Sequence, residues 1–345
     1  MIKIFSIIDQ KIDNTILPIY LDDKVFCFCK DISEADFILT PEPESLCYHS
    51  EKLAINNKKY HAPYKALGKI ELHDFFKSMG FDVIPTVRVK SQLDIENLSY
   101  EKLFLKPNVF SGGFLGVPSA PSLYKPITKE QAISYLPEHN TGDGLVVQPY
   151  LTNDSLDADL VMVPGVVNSY GKIHFQKCLE VIHRLGEGIV HSVRGNLESD
   201  IKDYVQELTS KYINHYNVKN TVFLMQFIKL DGKFLPMDFQ YRLSYFERFM
   251  IIRAYPDYIR DLHKYAFDQI DNVPFDPTRM QILDLIDIPE DKDSNFVKDL
   301  MQEMNVFILS QVKIRKDRKR LFYFIGSDKD TIMNNINLFK ERLCS

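Results

Sequence analysis

The stretch FLPMDFQYRLS, from Phe234 to Ser244, places an acid, an amide and a cation at alternate positions of an otherwise apolar run. Side chains two residues apart lie on the same face of a β-strand, so Asp238, Gln240 and Arg242 are predicted to share one face. For an isolated run of this kind, the simplest interpretation is a sheet with one face in water. The neighbouring sequence decides whether that face is solvated or lines a cleft.

The preceding residues, 221–233, complete a predicted β-hairpin with LDGK at its turn. If Asp231 to Lys233 form a three-residue loop, Gln226 lies directly across from Asp238 and joins the polar face. A two-residue loop would instead pair Gln226 with Met237. The other face of the hairpin is large and apolar, with Phe227, Met237, Phe239 and Tyr241.

A polar face backed by an apolar one can line a cleft, and its side chains then become candidate ligands. Asp238, Gln240 and Gln226 offer oxygen atoms, which suit a hard cation such as Mg²⁺ that takes few carboxylates and completes its shell with substrate phosphates. Arg242 can hold a phosphate or a carboxylate through its fork of donors. We therefore predict a metal-binding and anion-binding face on this hairpin.

A second candidate site follows an apolar strand earlier in the chain, in LFLKPNVFSGGFLGV (103–117). Lys106 emerges at the end of that strand, and the turn after it is rich in small residues that let backbone N–H groups approach an oxyanion. These residues are Ser111, Gly112, Gly113 and Gly116. A lysine before a glycine-rich turn is weak support for phosphate binding when it stands by itself.

Composition limits the protein class. The 345 residues exceed one small core, and 45% hydrophobic with 26% charged residues is typical of a soluble globular protein. The sequence contains no bilayer-spanning apolar run and no signal peptide, so we expect a cytoplasmic protein with reduced cysteines. A formal net charge of −5 argues against non-specific nucleic-acid binding, and we expect neither a nucleic-acid nor a membrane partner.

Strand-like and helix-like segments alternate over the first hundred residues, which favours an α/β fold class. Further strand runs separated by Pro/Gly turns are predicted between residues 157 and 185, followed by an amphipathic helix over 198–216 and the hairpin. The last seventy residues contain a strand, a turn and a helix, which predict a small closing α/β module.

In their order along the chain, these features resemble the ATP-grasp superfamily of carboxylate-activating ligases, over roughly Gly68 to Ile270. The segment GKIELHDFFKSMGFDVIP, with Lys69, Gly80 and Pro85, is similar to a family helix that begins with Asp-Lys and ends near a Gly preceding a Pro. Lys106 and the glycine-rich turn resemble the family's strand lysine and lid.

Two further segments carry the resemblance. VVQPYL, Val146 to Leu151, is similar to the hinge strand that presents its backbone to adenine, with Gln148 where an acid is more usual. Gln226 together with the run from Asp238 to Arg242 resembles the acid on one hairpin strand and the Glu-x-Asn-x-Arg on the next. Gln226 replaces a usual acid, Asp238 is one methylene shorter than Glu, and Gln240 one longer than Asn.

The resemblance implies an α/β protein with α+β character in the nucleotide clamp. It implies an N-terminal domain at 1–90, a lid subdomain at 91–150, a core subdomain with the metal hairpin at 151–275 and a small module at 276–345. Homodimer formation is possible by the same analogy.

The resemblance also implies residue roles, with ATP and Mg²⁺ as cofactors. Lys69, Lys106 and the lid loop would bind phosphate, Asp238, Gln240 and Gln226 would hold Mg²⁺, and Arg242 would hold a substrate carboxylate or acyl phosphate. Adenine and ribose contacts would come from Gln148, Pro149, Tyr150 and Leu151 and from Asp157 or Asp159.

The implied activity joins a carboxylate to an amine of a small molecule or peptide through an acyl phosphate. Because the metal cage carries fewer acids than usual, a nucleotide-binding protein without turnover is one alternative. An ATP-grasp phosphotransferase is another.

Arg184 and Arg194, which flank a flexible-looking segment, are additional candidates for a substrate or phosphate loop.

Overall fold

The computed structural model describes residues 1–6, 24–31, 34–39, 63–109, 126–139, 144–151, 157–184, 188–194, 199–242, 257–273, 280–289, 292–308, 319–326 and 328–345. Within these residues the strands are β1 (Ile2–Ser6), β2 (Phe26–Phe28), β3 (Phe37–Leu39), β4 (Val87–Val89), β5 (Lys102–Pro107), β6 (Ile127–Thr128), β7 (Leu145–Pro149), β8 (Asp157–Val167), β9 (Ile173–Phe175), β10 (Leu179–Arg184), β11 (Gly188–Arg194), β12 (Thr221–Leu230), β13 (Lys233–Gln240), β14 (Met280–Asp287), β15 (Phe307–Ile308) and β16 (Lys319–Gly326). The described α-helices are α1 (Lys69–Ser78), α2 (Gln92–Glu96), α3 (Lys129–His139), α4 (Ser199–His215), α5 (Tyr258–Ala266), α6 (Ser294–Glu303) and α7 (Lys329–Cys344).

The first three strands form a parallel sheet in the order β2-β1-β3. Parallel pairing is the kind of sheet predicted for the start of the chain. The predicted mixture of helices and strands is confirmed, and the predicted domain boundaries stay predictions. Among the described residues, no helix combines the length and apolar character needed to cross a bilayer.

An antiparallel sheet of four strands, in the order β4-β7-β5-β6, packs one face against α2 and α3. Leu103 and Leu105 of β5 are fully buried in this core, together with Ile95 and Ala132 from the helices. Because side chains alternate along a strand, Phe104 and Lys106 lie on the other face. The core of this small sheet therefore sets the direction in which Lys106 points.

The largest sheet has nine strands, eight of them in the order β13-β12-β8-β10-β11-β14-β16-β15, with β9 also paired to β8. One face of its β12–β13 end packs against α1 and α4, where Phe223, Phe227 and Phe239 meet Tyr212 in one hydrophobic cluster. The sheet is continuous from β8 to β16, so strands on both sides of the predicted boundary at residue 275 share it.

Strand β8 corrects one sequence prediction. Pro164 and Gly165 were predicted to form a turn, but β8 runs through both without interruption and pairs them with Leu224 and Phe223. The Pro164 carbonyl accepts a hydrogen bond from Gln176 N at 3.0 Å, on the side away from β12. Since N–H and C=O of a strand residue point the same way, the missing proline N–H costs no bond to β12.

The hairpin confirms one prediction and corrects another. Gln226 lies across from Asp238, as predicted, but the turn is the two-residue type, with Leu230 paired to Lys233. Asp231 and Gly232 both have positive φ, 49° and 74°, as a two-residue hairpin turn requires. A bulge beside Gln226 shifts the register by one residue and restores the Gln226–Asp238 pair.

Helix α1 is anchored at its start by two tyrosine hydroxyl groups. Tyr212 Oη donates to the Ala66 carbonyl at 2.7 Å, and Tyr241 Oη donates to the Pro63 carbonyl at 2.7 Å. Tyr212 lies on α4 and Tyr241 follows β13, and both are buried. These bonds fix the turn before α1 against the large sheet, and Lys69 is the first residue of that helix.

Candidate active site

Lys69 and Asp238 form a buried ion pair between α1 and β13. Lys69 Nζ lies 3.6 Å from Asp238 Oδ1, and the side chains are 2% and 10% exposed. Lys69 Nζ also donates to the main-chain carbonyl of Asn108 at 3.4 Å. A buried charge is costly unless it is paired, and here the two charges compensate each other across two elements.

Lys106 reaches the same place from the four-stranded sheet. The pKa of Lys106 is lowered from 10.5 to about 8, mainly by burial and also by the positive charge of Lys69, while the negative charge of Asp238 partly opposes both effects. The side chains of Lys69, Lys106 and Asp238 therefore lie close enough to influence one another.

A short hydrogen-bond chain holds Lys106. Lys106 Nζ donates to Gln148 Oε1 at 3.4 Å, Gln148 Nε2 donates to Thr86 Oγ1 at 3.1 Å, and Thr86 Oγ1 donates to the Ile84 carbonyl at 2.9 Å. Because the threonine hydroxyl gives its hydrogen to Ile84, it must accept from Gln148. The amide oxygen of Gln148 therefore faces Lys106, and the lysine gains a neutral acceptor rather than a counter-charge.

The polar face of the hairpin offers oxygen atoms beside the two lysines. Gln240 Nε2 donates to Asp238 Oδ2 at 2.8 Å, which leaves the amide oxygen of Gln240 as an acceptor. Gln226, opposite Asp238, is 8% exposed. Among the described residues, no cluster of three or more histidine, cysteine or acidic side chains is arranged to hold a metal. One carboxylate with two amides fits Mg²⁺ only if a ligand contributes further oxygens.

The two lysines outnumber the carboxylate between them, so the described part of the site is suited to an anion. Cations held close together at low exposure raise the local positive potential, and an incoming phosphate group relieves their repulsion. The site residues thus fit a phosphate-bearing ligand.

Other predicted site residues lie nearby or outside the described part. Pro149 ends β7, and Tyr150 N donates to the Lys102 carbonyl at 3.0 Å, so this N–H is already bonded within the protein. Leu151 is partly buried, as is Arg242. Arg242 was predicted to lie on the hairpin strand, but β13 ends at Gln240, two residues before it. The lid residues Ser111, Gly112, Gly113 and Gly116 lie outside the described residues.

Asp157 and Asp159 belong to β8 rather than to a surface turn, and their main chains pair with Arg184 and Ile182 of β10. Their side chains lie outside the described part. The segment between Arg184 and Arg194 was expected to be a flexible loop, but residues 188–194 form strand β11, which pairs with β10. Residues 188–194 therefore form a strand where a loop was expected.

Two buried polar residues beside the lysines were missed by the sequence reasoning. Thr86 is 8% exposed and Asn108 is 3% exposed. Asn108 follows Lys106 by two residues in the motif KPN, but nothing in the sequence distinguishes it from a surface asparagine. Its partners at the start of α1 lie 37 to 39 residues away, so only the folded chain shows its contacts.

Solved structures of other proteins share the fold of this chain. The L-amino acid ligase from Bacillus licheniformis superposes with a TM-score of 0.66 over 100% of this chain and 97% of that one, at 10% identity. The N5-carboxyaminoimidazole synthetase from Staphylococcus aureus, complexed with ADP, gives 0.63 over 99% and 98%, at 12% identity. This chain has the ATP-grasp fold.

The biotin carboxylase from Campylobacter jejuni also shares the ATP-grasp fold, with a TM-score of 0.57 over 89% of this chain and 74% of that one, at 13% identity. No protein-family model matches the sequence, and no curated protein matches it either. The ATP-grasp likeness is therefore a likeness of fold.

Proposed function

We propose that this protein is an ATP- and Mg²⁺-dependent ligase that joins a carboxylate to an amine. The observation that carries the proposal is the convergence of Lys69, from α1, and Lys106, from β5, on the carboxylate of Asp238. A buried cation, Lys69, and a half-buried one, Lys106, beside one carboxylate form a site for a ligand that carries several negative charges and a metal ion. ATP with Mg²⁺ meets both requirements.

The phosphate groups of ATP would lie against Lys69 and Lys106, which neutralise their charge. The lid residues 111–116 would cover them and exclude water, and the segment Gln148, Pro149, Tyr150 and Leu151 would bind adenine. Since Tyr150 N already donates to the Lys102 carbonyl, other main-chain groups of this segment would have to form the hydrogen bonds to adenine. Asp157 or Asp159 would accept a ribose hydroxyl.

Asp238, with Gln240 and Gln226, would hold Mg²⁺, which would neutralise the negative charge that develops during phosphoryl transfer. To do so, Asp238 has to exchange its contacts with Lys69 and Gln240 for the metal. Lys69 would then turn to phosphate. Arg242 would hold the substrate carboxylate or the acyl phosphate.

In the proposed reaction, a carboxylate oxygen attacks the γ-phosphorus of ATP and ADP leaves with the bonding electron pair. The product of this step is an acyl phosphate. The amine then attacks its carbonyl carbon, inorganic phosphate leaves, and the amine loses a proton. The S. aureus structure with ADP and the L-amino acid ligase support this class of reaction by likeness of fold. Small-molecule or peptide acids and amines are the proposed substrates, and a homodimer is the proposed assembly.

One observation favours a second candidate, a nucleotide-binding protein without ligase turnover. The Asp238 carboxylate is engaged on both oxygens, by Lys69 and by Gln240, and Gln226 contributes no charge opposite it. A metal would have to compete with these contacts. Binding of ATP without any product across a panel of acids and amines would favour this candidate.

Three measurements test the proposal. A thermal shift with ATP and Mg²⁺ reports binding, and no stabilisation by any nucleotide would contradict both candidates. Release of ADP that depends on an added amine, with hydroxamate formed when hydroxylamine is added, identifies the ligase. ADP formation with transfer of phosphate to a stable product would instead identify a phosphotransferase.

Asp238→Asn should abolish turnover, because it removes the carboxylate of the metal face. It also leaves Lys69 without its counter-charge, so we expect the fold to persist at reduced stability. The matched control is Asp231→Asn, at the exposed turn of the same hairpin. Full activity of Asp238→Asn would overturn the metal assignment.

A further inference from the structure

Asn108 connects the strand that carries Lys106 to the helix that begins with Lys69. Its main-chain carbonyl accepts from Lys69 N at 2.9 Å and from Lys69 Nζ at 3.4 Å, and its N–H donates to the Gly144 carbonyl at 3.1 Å. Its side-chain Oδ1 accepts from Ile70 N at 3.0 Å, and Nδ2 donates to Glu71 Oε2 at 3.0 Å. Every polar group of Asn108 is therefore bonded.

The partners dictate the orientation of the Asn108 amide. The Ile70 N–H can only donate and the Glu71 carboxylate can only accept, so Oδ1 must face the former and Nδ2 the latter. Ile70 N–H is one of the first N–H groups of α1, and such a group has no acceptor within its own helix. Asn108 thus caps α1 from a distant strand, with an amide that fits in one direction only.

The helix start is shaped for this contact. A Cβ atom at Gly68 would overlap the Glu71 carboxylate and lie 3.1 Å from Asn108 Nδ2. Any side chain at position 68 would therefore displace Glu71 from Asn108. Glu71 Oε1 in turn lies 3.6 Å from Arg88 Nη2, beside strand β7.

We propose that Asn108 is a positioning residue, which holds the Lys106 strand and the Lys69 helix at a fixed separation so that both ammonium groups reach one polyphosphate. The effect on nucleotide affinity rests on the proposed function, whereas the link between strand and helix does not. Asn108 touches neither substrate nor metal in this proposal and acts through the two lysines.

The pair Asn108 and Glu71 allows a test by reversal of polarity. Asn108→Ala removes both side-chain bonds. Asn108→Asp keeps the acceptor for Ile70 N–H but sets a carboxylate against that of Glu71. In the double variant Asn108→Asp with Glu71→Gln, the new glutamine donates to the new carboxylate, so both bonds return at unchanged net charge. Glu71→Gln keeps an acceptor for Asn108 and is one control, and Asn97→Ala, at an exposed site beyond α2, is another.

The first measurement is hydrogen exchange of the Ile70 amide in the protein without nucleotide. We expect exchange to be about tenfold faster in Asn108→Ala, since the Ile70 N–H loses its hydrogen bond to Asn108 Oδ1. The double variant should exchange within about threefold of wild type. Unchanged exchange in Asn108→Ala overturns the proposal. If Asn108→Ala does not fold, Glu71→Ala removes the acceptor that orients the Asn108 amide, and the exchange rate of the Ile70 amide in that variant decides the same question.

The second measurement is the affinity for ADP with Mg²⁺ by calorimetry. We expect binding about tenfold weaker in Asn108→Asp and restored to within about threefold in the double variant. Faster exchange with unchanged affinity would overturn the positioning role and leave a structural contact. A double variant as weak as Asn108→Asp would overturn it as well. Wild type that does not bind ADP contradicts the proposed function, and the exchange result still decides whether Asn108 holds the helix.

Discussion

Replacing Lys106 with methionine should remove a specific part of the pH dependence of stability. The pKa of Lys106 is lowered from 10.5 to about 8, mainly because burial disfavours the ammonium form. Between these two values, the unfolded chain binds a proton that the native protein has lost. Stability therefore rises with pH across this window, by about 1.4 kcal/mol per pH unit for one proton.

The cost of the buried ammonium is fully present below pH 8 and is gone above pH 10.5. Over the window of about 2.5 pH units, the gain is about 2 to 3.5 kcal/mol, with the lower figure allowing for the partial exposure of Lys106. Lys106→Met has no such proton to lose. Wild type should therefore gain this amount relative to the variant between pH 8 and pH 10.5.

Urea unfolding at a series of pH values measures the difference between wild type and Lys106→Met. Tyrosine and cysteine residues also ionise in this range, but their contributions are common to both proteins and cancel in the difference. Lys102→Met, at an exposed position of the same strand, is the matched control for the loss of one lysine. Parallel stability profiles of wild type and Lys106→Met from pH 7.5 to pH 10.5 would refute the reasoning.

Two further predictions concern the same sheets. Gln148→Glu puts a carboxylate about where Oε1 lies 3.4 Å from Lys106 Nζ; opposite charges at this distance attract by about 5 kcal/mol at an effective dielectric constant of 20, before desolvation is subtracted. The pKa of Lys106 should therefore rise, which lysine NMR titration measures with Gln148→Met as the control, and an unchanged pKa would contradict the contact. Gly165→Ala puts a methyl group against the Phe223 ring and 2.9 Å from the His174 carbonyl. It should destabilise the protein by about 1 to 3 kcal/mol in urea unfolding, and a wild-type midpoint would contradict this packing.

The polar face of the hairpin could be predicted because strand alternation is a local rule. Asp238 and Gln240 lie on one face, and Phe239 faces the core, as the period of two requires. The pairing of Gln226 with Asp238 was right, but the loop assumed for it was wrong. A two-residue turn and a bulge produce the same pair, and the sequence contains no mark of a bulge at this position.

Contacts between segments far apart in the chain could not be predicted. Gln148 and Thr86 are 62 residues apart, and Asn108 and Ile70 are 38 apart. Pro164 and Gly165 form a typical turn pair, yet the close approach of Phe223 requires a glycine inside a strand. Local propensity describes neither case, because tertiary packing determines both.

The two amides that depart from the family pattern act on the charge of the site in the same direction. The resemblance implies acids at positions 148 and 226, and this chain has glutamine at both. Gln148 gives Lys106 a neutral acceptor. The two lysine charges therefore repel each other, and the single carboxylate of Asp238 compensates them only in part. Such a site favours a polyanion more strongly than one with balanced charges and favours a free cation less. In the proposed function, Mg²⁺ would therefore enter together with the nucleotide, whose phosphate oxygens supply the negative charge that the glutamines do not.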